Sequence, residues 1–129
     1  MHNSFIPSSC NIGKDTVIAY GGIGVVIHSN ALIGRHCMIG QGITIGGRNG
    51  ETGVPIVQDN VYLGAGCRII GDITIGHDSI IAPNAVVTKN VEPYSVMAGV
   101  PAKMINRITK DNINKYSRNY GPCNFMKNN

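Results

Sequence analysis

The sequence predicts an all-β chain wound as a parallel β-helix of hexapeptide repeats, a single domain in 129 residues. Three observations lead there. Aliphatic residues recur at every sixth position: Ile6, Ile12 and Ile18, then Ile27, Ile33, Ile39 and Ile45, then Val57, Leu63, Ile69, Ile75, Ile81 and Val87. Four residues after each lies a second inward position, mostly small or β-branched: Cys10, Thr16, Ala31, Cys37, Ile43, Val61, Cys67, Ile73, Ser79, Ala85 and Val91. Finally, 17 Gly, no Trp and 14% charged residues suit many short strands joined by tight turns better than a helical bundle. A period of six matches neither the 3.6 of a helix nor the two of a plain strand. It matches a coil in which short flat strands alternate with turns.

The first row predicts an opening coil. It is followed by a step of nine instead of six between Ile18 and Ile27, which holds Ala19-Tyr20-Gly21-Gly22-Ile23-Gly24. Three glycines in four positions suggest a bulged turn of close backbone approach. The second row ends at Ile45, and the next register position is Glu51, a residue that cannot be buried unpaired. Residues 46–56, rich in Gly and closed by Pro55, are therefore predicted to project as a loop. After Val87 the repeat fades, and Ala98-Gly99-Val100-Pro101-Ala102-Lys103 reads as an extended cap. Ile105, Ile108, Ile113, Tyr116 and Tyr120 have loose helical spacing up to Gly121-Pro122, which predicts one short C-terminal helix. The expected division is 1–105 for the coil and 106–129 for helix and tail. Interruptions of a solenoid cost packing, so the two insertions are where function is sought first.

Charge narrows the partners. The formal net charge is +4, and from Lys103 onward Lys103, Arg107, Lys110, Lys115, Arg118 and Lys127 face a single acid, Asp111. Such a tail is either a solvated basic surface or a place for a small polyanion such as a nucleotide phosphate. No aromatic–basic interleaving accompanies it, so no nucleic-acid partner is expected. Cys10, Cys37 and Cys67 occupy small inward positions and their spacing matches neither a zinc site nor a disulfide framework, which suggests a reducing, cytoplasmic setting. Residues 1–15 lack the pattern of a signal peptide and no apolar run is long enough to span a bilayer, so stable membrane insertion is not expected. A narrow coil buries little surface per residue, and self-association is expected.

Histidine is the scarce chemical resource: His2, His28, His36 and His77. No phosphate loop, dinucleotide fingerprint or nucleophile elbow accompanies them. His2 is terminal and reads as inert; His77, in Ile75-Gly76-His77-Asp78, reads as an outer-turn surface residue. His36 points outward near the first insertion. His28 follows that insertion directly and fills a slot that elsewhere holds Gly13, Gly34, Gly40, Gly46, Gly64 or Gly76. A bulky imidazole there is the best catalytic candidate, with His36 in reserve.

The stretches Gly24-Val25-Val26-Ile27, Ala31-Leu32-Ile33-Gly34, Ile43-Thr44-Ile45-Gly46-Gly47, Leu63-Gly64-Ala65-Gly66-Cys67-Arg68-Ile69-Ile70-Gly71, Ala85-Val86-Val87 and Ala98-Gly99-Val100-Pro101-Ala102-Lys103 carry a resemblance. Together the chain resembles the hexapeptide-repeat acyltransferases, in their serine acetyltransferase-like branch. The resemblance implies a left-handed β-helix, a homotrimer, and acetyl-CoA as co-substrate in grooves between neighbouring coils. Spacing alone does not show the hand, and parallel crossovers are normally right-handed. By resemblance the CoA arm runs near Gly46, Gly47, Ala65 and Ala82, with Lys103 near the nucleotide end as a point charge for phosphate. No metal is implied.

Departures stand beside the matches. Members of that branch carry Asp-His in the region where this chain has Ala19-Tyr20-Gly21-Gly22, an early Asp where it has Phe5, and Arg-His-Pro where it has Gly53-Val54-Pro55. Their helical N-terminal domain has no counterpart in this sequence. The expectation is an acetyl-CoA-dependent O-acetyltransferase acting on a small-molecule hydroxyl, first of all that of a sugar or polysaccharide precursor. His28 is the expected base, and backbone amides near the Gly-rich bulge the expected oxyanion donors. The alternatives are a serine O-acetyltransferase with a rearranged site, a γ-carbonic-anhydrase-like zinc enzyme, and a scaffold without activity.

Overall fold

The structure is a computed structural model that describes residues 4–117 and Cys123. Four coils follow one another, each made of three strands. The first holds β1 (Asn11–Ile12), β2 (Val17–Ile18) and β3 (Val26–Ile27). The second holds β4 (Leu32–Ile33), β5 (Met38–Ile39) and β6 (Thr44–Gly46). The third holds β7 (Ile56–Val57), β8 (Tyr62–Leu63) and β9 (Arg68–Ile70), and the fourth β10 (Thr74–Ile75), β11 (Ile80–Ile81) and β12 (Val86–Val87). Strands this short follow from the hexad, which leaves few extended residues between turns.

Stacking coils form three parallel sheets, the faces of a prism. The first face is β1-β4-β7-β10, the second runs through β2-β5-β8-β11, and the third is β3-β6-β9-β12. On the first face Asn11 pairs with Leu32, Leu32 with Ile56 and Ile56 with Thr74, offsets of 21, 24 and 18 residues. Eighteen is three hexads; the excesses are the bulge and the projecting loop. Both insertions sit at corners, so the inward phase passes through them unchanged.

Each row residue from Ile27 to Val87 is buried, as are Ala31, Cys37, Ile43, Val61, Cys67, Ile73, Ser79, Ala85 and Val91. Val25 joins them, because the bulge restores the inward phase two residues before Ile27. Ile6, Cys10, Ile12 and Ile18 are only partly buried, since the first coil has a neighbour on one side alone within the described residues. Glu51 is exposed, as its charge requires.

The C-terminal segment departs from the helical reading. After β13 (Ser95–Ala98), which extends the second face, the chain turns back and Lys103–Arg107 forms an antiparallel strand, β14. The helix α1 is confined to Ile113–Ser117, and Tyr120 lies outside the described residues. The expected boundary at residue 105 thus falls inside β14. The reason is packing: Ile80 and Val96 on the outer side of the second face are apolar, and Ile108, Tyr116 and Cys123 cover them. A free sheet edge beside β13 then captures Lys103–Arg107 in place of more helix.

Candidate active site

Three corners separate the faces, and they divide the expected site residues. The third corner, between the third and first faces, carries His28. Its backbone N–H donates to the Ile45 carbonyl at 2.8 Å, and the sheet register then places His28, Gly46, Ile70 and Thr88 in one column along the coil. The half-buried imidazole accepts the Asn30 backbone N–H at Nδ1, 3.0 Å away. A neutral ring so engaged carries its proton on Nε2.

Gly46 and Gly47 open the projecting loop on this same corner. The Gly46 carbonyl accepts the Gly71 N–H at 2.9 Å, and Glu51 Oε1 accepts the Asp72 N–H at 3.0 Å, so the loop is tied back to the next coil. Gly53 lies against the Asp72 carboxylate, where a Cβ would overlap it.

Ala65 and Ala82 lie on the second corner, between the second and third faces. Here Gly24, Gly42, Gly66 and Asn84 take left-handed φ angles of 69°, 67°, 74° and 61°. Backbone hydrogen bonds from Gly42 to Ile23, Gly66 to Gln41 and Asn84 to Ala65 stack the turns. The Arg68 guanidinium reaches across from β9 to the carbonyls of Gly42 and Gly66. The result is an edge of small residues crossed by the Arg68 side chain, on which a slender chain can approach backbone beside the guanidinium.

Lys103 sits at the C-terminal end of the coil. It lines a cavity of about 330 Å³ with Thr88, Lys89, Met97, Pro101, Ala102 and Met104. Lys89 was not singled out by sequence; the one signal was a lysine two residues after the last row residue, Val87. Two ammonium groups over an apolar floor suit an anionic group attached to a flat or aliphatic body.

His36 occupies the first corner, with a left-handed φ of 56° and Nε2 3.9 Å from the Asp15 carboxylate. It is not brought near His28. His77, read as plain surface, proves to be held in place on the same corner as His36. Its Nδ1 lies 2.8 Å from Asp78 Oδ2, its N–H donates to Gln58 Oε1, and Tyr94 meets the ring edge-on. Sequence adjacency of His77 and Asp78 was the available signal.

Burial pushes the Cys37 thiol up to about 11 and Cys67 and Cys123 up to about 12, so all three are neutral at physiological pH and serve as packing groups. Among the described residues of one chain no three His, Cys, Asp or Glu side chains gather as a metal site. No helix among them is long and apolar enough to cross a membrane.

Residues 55–89 match the family described as bacterial transferase hexapeptide (six repeats). A serine acetyltransferase of Buchnera aphidicola subsp. Schizaphis graminum is 32% identical over 116 residues, 88% of this chain and 44% of the relative. The chain belongs to the hexapeptide-repeat acyltransferases, on their serine acetyltransferase-like branch. Two solved structures agree with this. A serine acetyltransferase in complex with cysteine superposes with a TM-score of 0.77 at 32% identity, over 83% of this chain and 42% of that one. A serine acetyltransferase from Brucella abortus strain S19 in complex with coenzyme A gives 0.74 at 31%, over 78% and 41%. The left-handed β-helix of this branch is thus the architecture of the coil. The chain spans less than half the length of these relatives. The family match takes in coils three and four, with Ala65 and Ala82.

Proposed function

We propose that this chain transfers an acetyl group from acetyl-CoA to a hydroxyl oxygen, in grooves formed between copies of itself. One observation carries the reading. The residues expected along CoA lie on two corners, Ala65 and Ala82 on the second and Gly46 and Gly47 on the third. The third face separates the corners by roughly 16 Å, five residues at about 3.3 Å each. One ligand arm meets both sets if the second corner of one copy faces the third corner of another. A closed homotrimer repeats that contact three times, and it also adds the burial that a narrow coil lacks. A relative solved with coenzyme A supports the co-substrate. The cavity at Lys89 and Lys103 then takes the nucleotide end.

The acceptor is where the first expectation changes. A sugar hydroxyl gains no support from the relatives, whose names point to serine, and L-serine is the acceptor we adopt. The site is then a rearranged one, because Phe5, Ala19-Tyr20-Gly21-Gly22 and Gly53-Val54 stand where the branch carries charged groups. In the transfer the serine oxygen bonds to the thioester carbon, the C–S bond breaks, and the hydroxyl proton ends on the CoA sulfur.

His28 is the imidazole we assign to this step, in an adjusted role. With Nδ1 taken by the Asn30 N–H, its Nε2–H is a donor for the oxygen that becomes negative. Service as a base would require that bond to break. Donors of this kind contribute about 10²–10³-fold. The neutral, unpaired thiols suit a cytoplasmic location.

The test is a steady-state assay with acetyl-CoA, L-serine and a panel of sugars. A kcat/KM for L-serine of about 10⁴ M⁻¹s⁻¹ or more is expected. A sugar reaching that range while serine does not would overturn the acceptor and leave the transfer standing. Absence of CoA binding by titration calorimetry would overturn both.

A further inference from the structure

The C-terminal end of the coil closes with a hairpin that shows aliphatic side chains to solvent. Residues 99–102 run over the edge of β12, where the Gly99 carbonyl accepts the Val86 N–H at 3.0 Å and the Ala102 N–H donates to the Val86 carbonyl at 2.8 Å. Val100 stands between these two anchors and is 71% exposed. In β14, Asn106 pairs with Val96 and Met104 with Met97, which leaves Ile105 as the extra residue of a bulge. A bulge re-aims its unpaired side chain, and Ile105 is 65% exposed. Neither residue belongs to an apolar core or lines the cavity at Lys89 and Lys103. The hairpin therefore presents two aliphatic side chains that its own packing does not use.

The chain that leaves this hairpin is basic. From Arg107 onward the sequence carries Arg107, Lys110, Lys115, Arg118 and Lys127 against Asp111 alone. Of these, Arg107, Lys110 and Lys115 are exposed. A small polyanion in the cavity meets Lys89 and Lys103 and leaves this second set of cations unused. Exposed aliphatic groups beside several cations suit the boundary of an anionic lipid bilayer, apolar within and negative at its face. Other occupants fit less well. Residues 99–107 hold no aromatic ring on which a nucleic-acid base could stack. A second copy meeting this end with its own would oppose cation to cation. In a closed trimer joined corner to corner the coils lie side by side, and all three hairpins face one way. A flat bilayer meets the three together, so the second and third contacts form at high effective concentration.

We propose that the C-terminal end of the coil docks reversibly onto an anionic lipid surface. Val100 and Ile105 enter the headgroup layer, and the basic segment from Arg107 lies against lipid phosphates. This rests on the side-by-side trimer of the acetyl-transfer reading and is independent of its acceptor. The docking is peripheral, since no helix among the described residues is long and apolar enough to cross the bilayer.

The experiment is co-sedimentation of the intact chain with vesicles of phosphatidylcholine mixed equally with phosphatidylglycerol, and with vesicles of phosphatidylcholine alone. Wild type is expected to sediment with the mixed vesicles. Its partition should fall at least about tenfold on neutral vesicles, and likewise in about 1 M salt, where the screening length is about 3 Å. Ile105→Ser and Val100→Ser are each expected to weaken partition into the mixed vesicles about tenfold, and Arg107→Gln about fivefold. Melting temperature, trimer mass in light scattering and the Kd for CoA of these variants stay near wild type, because the residues lie outside the cores and the cavity. A wild-type trimer that binds CoA yet stays in the supernatant of the mixed vesicles would overturn the inference alone. Equal sedimentation of wild type and both aliphatic variants would also overturn it. Retention on immobilised polyglutamate without vesicle binding would assign the surface to an acidic polypeptide and overturn the lipid reading. A monomer in light scattering would remove the trimer and the three-hairpin surface together.

Discussion

The first and second corners of the coil use one backbone conformation for opposite ends. At the first, the left-handed position is filled by Asp15, His36, Asn60 and Asp78; at the second, by Gly24, Gly42, Gly66 and Asn84. Polar residues tolerate that conformation because short side chains bond locally, and glycine tolerates it for want of a Cβ. Side chains at the first corner lock coil to coil. Asp59 takes the Arg35 N–H at 2.8 Å and Gln58 takes that of His77. Backbones close up at both corners: a Cβ on Gly40 would lie 2.9 Å from the Ala65 nitrogen, and one on Gly13 would lie 2.5 Å from the Gly34 carbonyl carbon. The first is a seam and the second a groove, and the difference is made by side-chain choice at one turn position.

Alkaline pH should break both from inside, and it carries the largest expected effect. Cys37 and Cys67 sit just inside the first and second corners, with thiols raised by burial to about 11 and about 12. In the unfolded chain they ionise near 9.0. Their contribution is therefore complete below about pH 9 and is lost as pH rises through the folded values, at about 1 kcal/mol per pH unit per thiol. Urea unfolding at pH 8, 10 and 11 should show the decline, and Cys37→Ala or Cys67→Ala should flatten it. A decline of equal slope in the double variant would assign it to other groups.

Activity should separate the corners next. His28→Ala is expected to lower kcat/KM by about 10²-fold with CoA affinity unchanged, whereas His36→Ala and His77→Ala, on the seam, stay near wild type. Inactivity of His36→Ala with His28→Ala active would move the chemistry to the first corner.

Groove and seam should also differ in how they fail. Gly64→Ala places a Cβ 2.6 Å from the Pro83 nitrogen and 2.8 Å from the Ile81 carbonyl oxygen, contacts that only backbone shifts relieve. A loss of about 2 kcal/mol in thermal or urea unfolding is expected. Asp59→Ala removes one exposed acceptor from the seam and should cost about 0.5–1 kcal/mol in the same measurement. Near-equal losses would mean that the two corners are not the distinct devices described here.

Much of the coil was legible from residues alone. Inward positions recur with the hexad, and Glu51 marked the loop because a charge cannot follow that pattern inward. The site was legible in part. His28 and Gly46 are eighteen residues apart, one coil, so their shared column was implicit in the count. The Nδ1 bond to Asn30 was not, since a turn's hydrogen bonds depend on dihedral angles that periodicity leaves open. Lys89 escaped because its partner Lys103 arrives only when the chain turns back. The helical reading of Ile105 and Ile108 failed for a related reason: their spacing suits either element, and the open edge at β13 decided.

What the sequence determined by itself was therefore the inside of the molecule: the repeat, its phase, the corner insertions and the short strands between them. Those follow from local alternation and from the cost of burying anything but small and aliphatic groups. What tertiary structure decided was the outside. The covered second face, the terminal cavity and the polar seam at His77 depend on which distant segments pack together, and no local period encodes that.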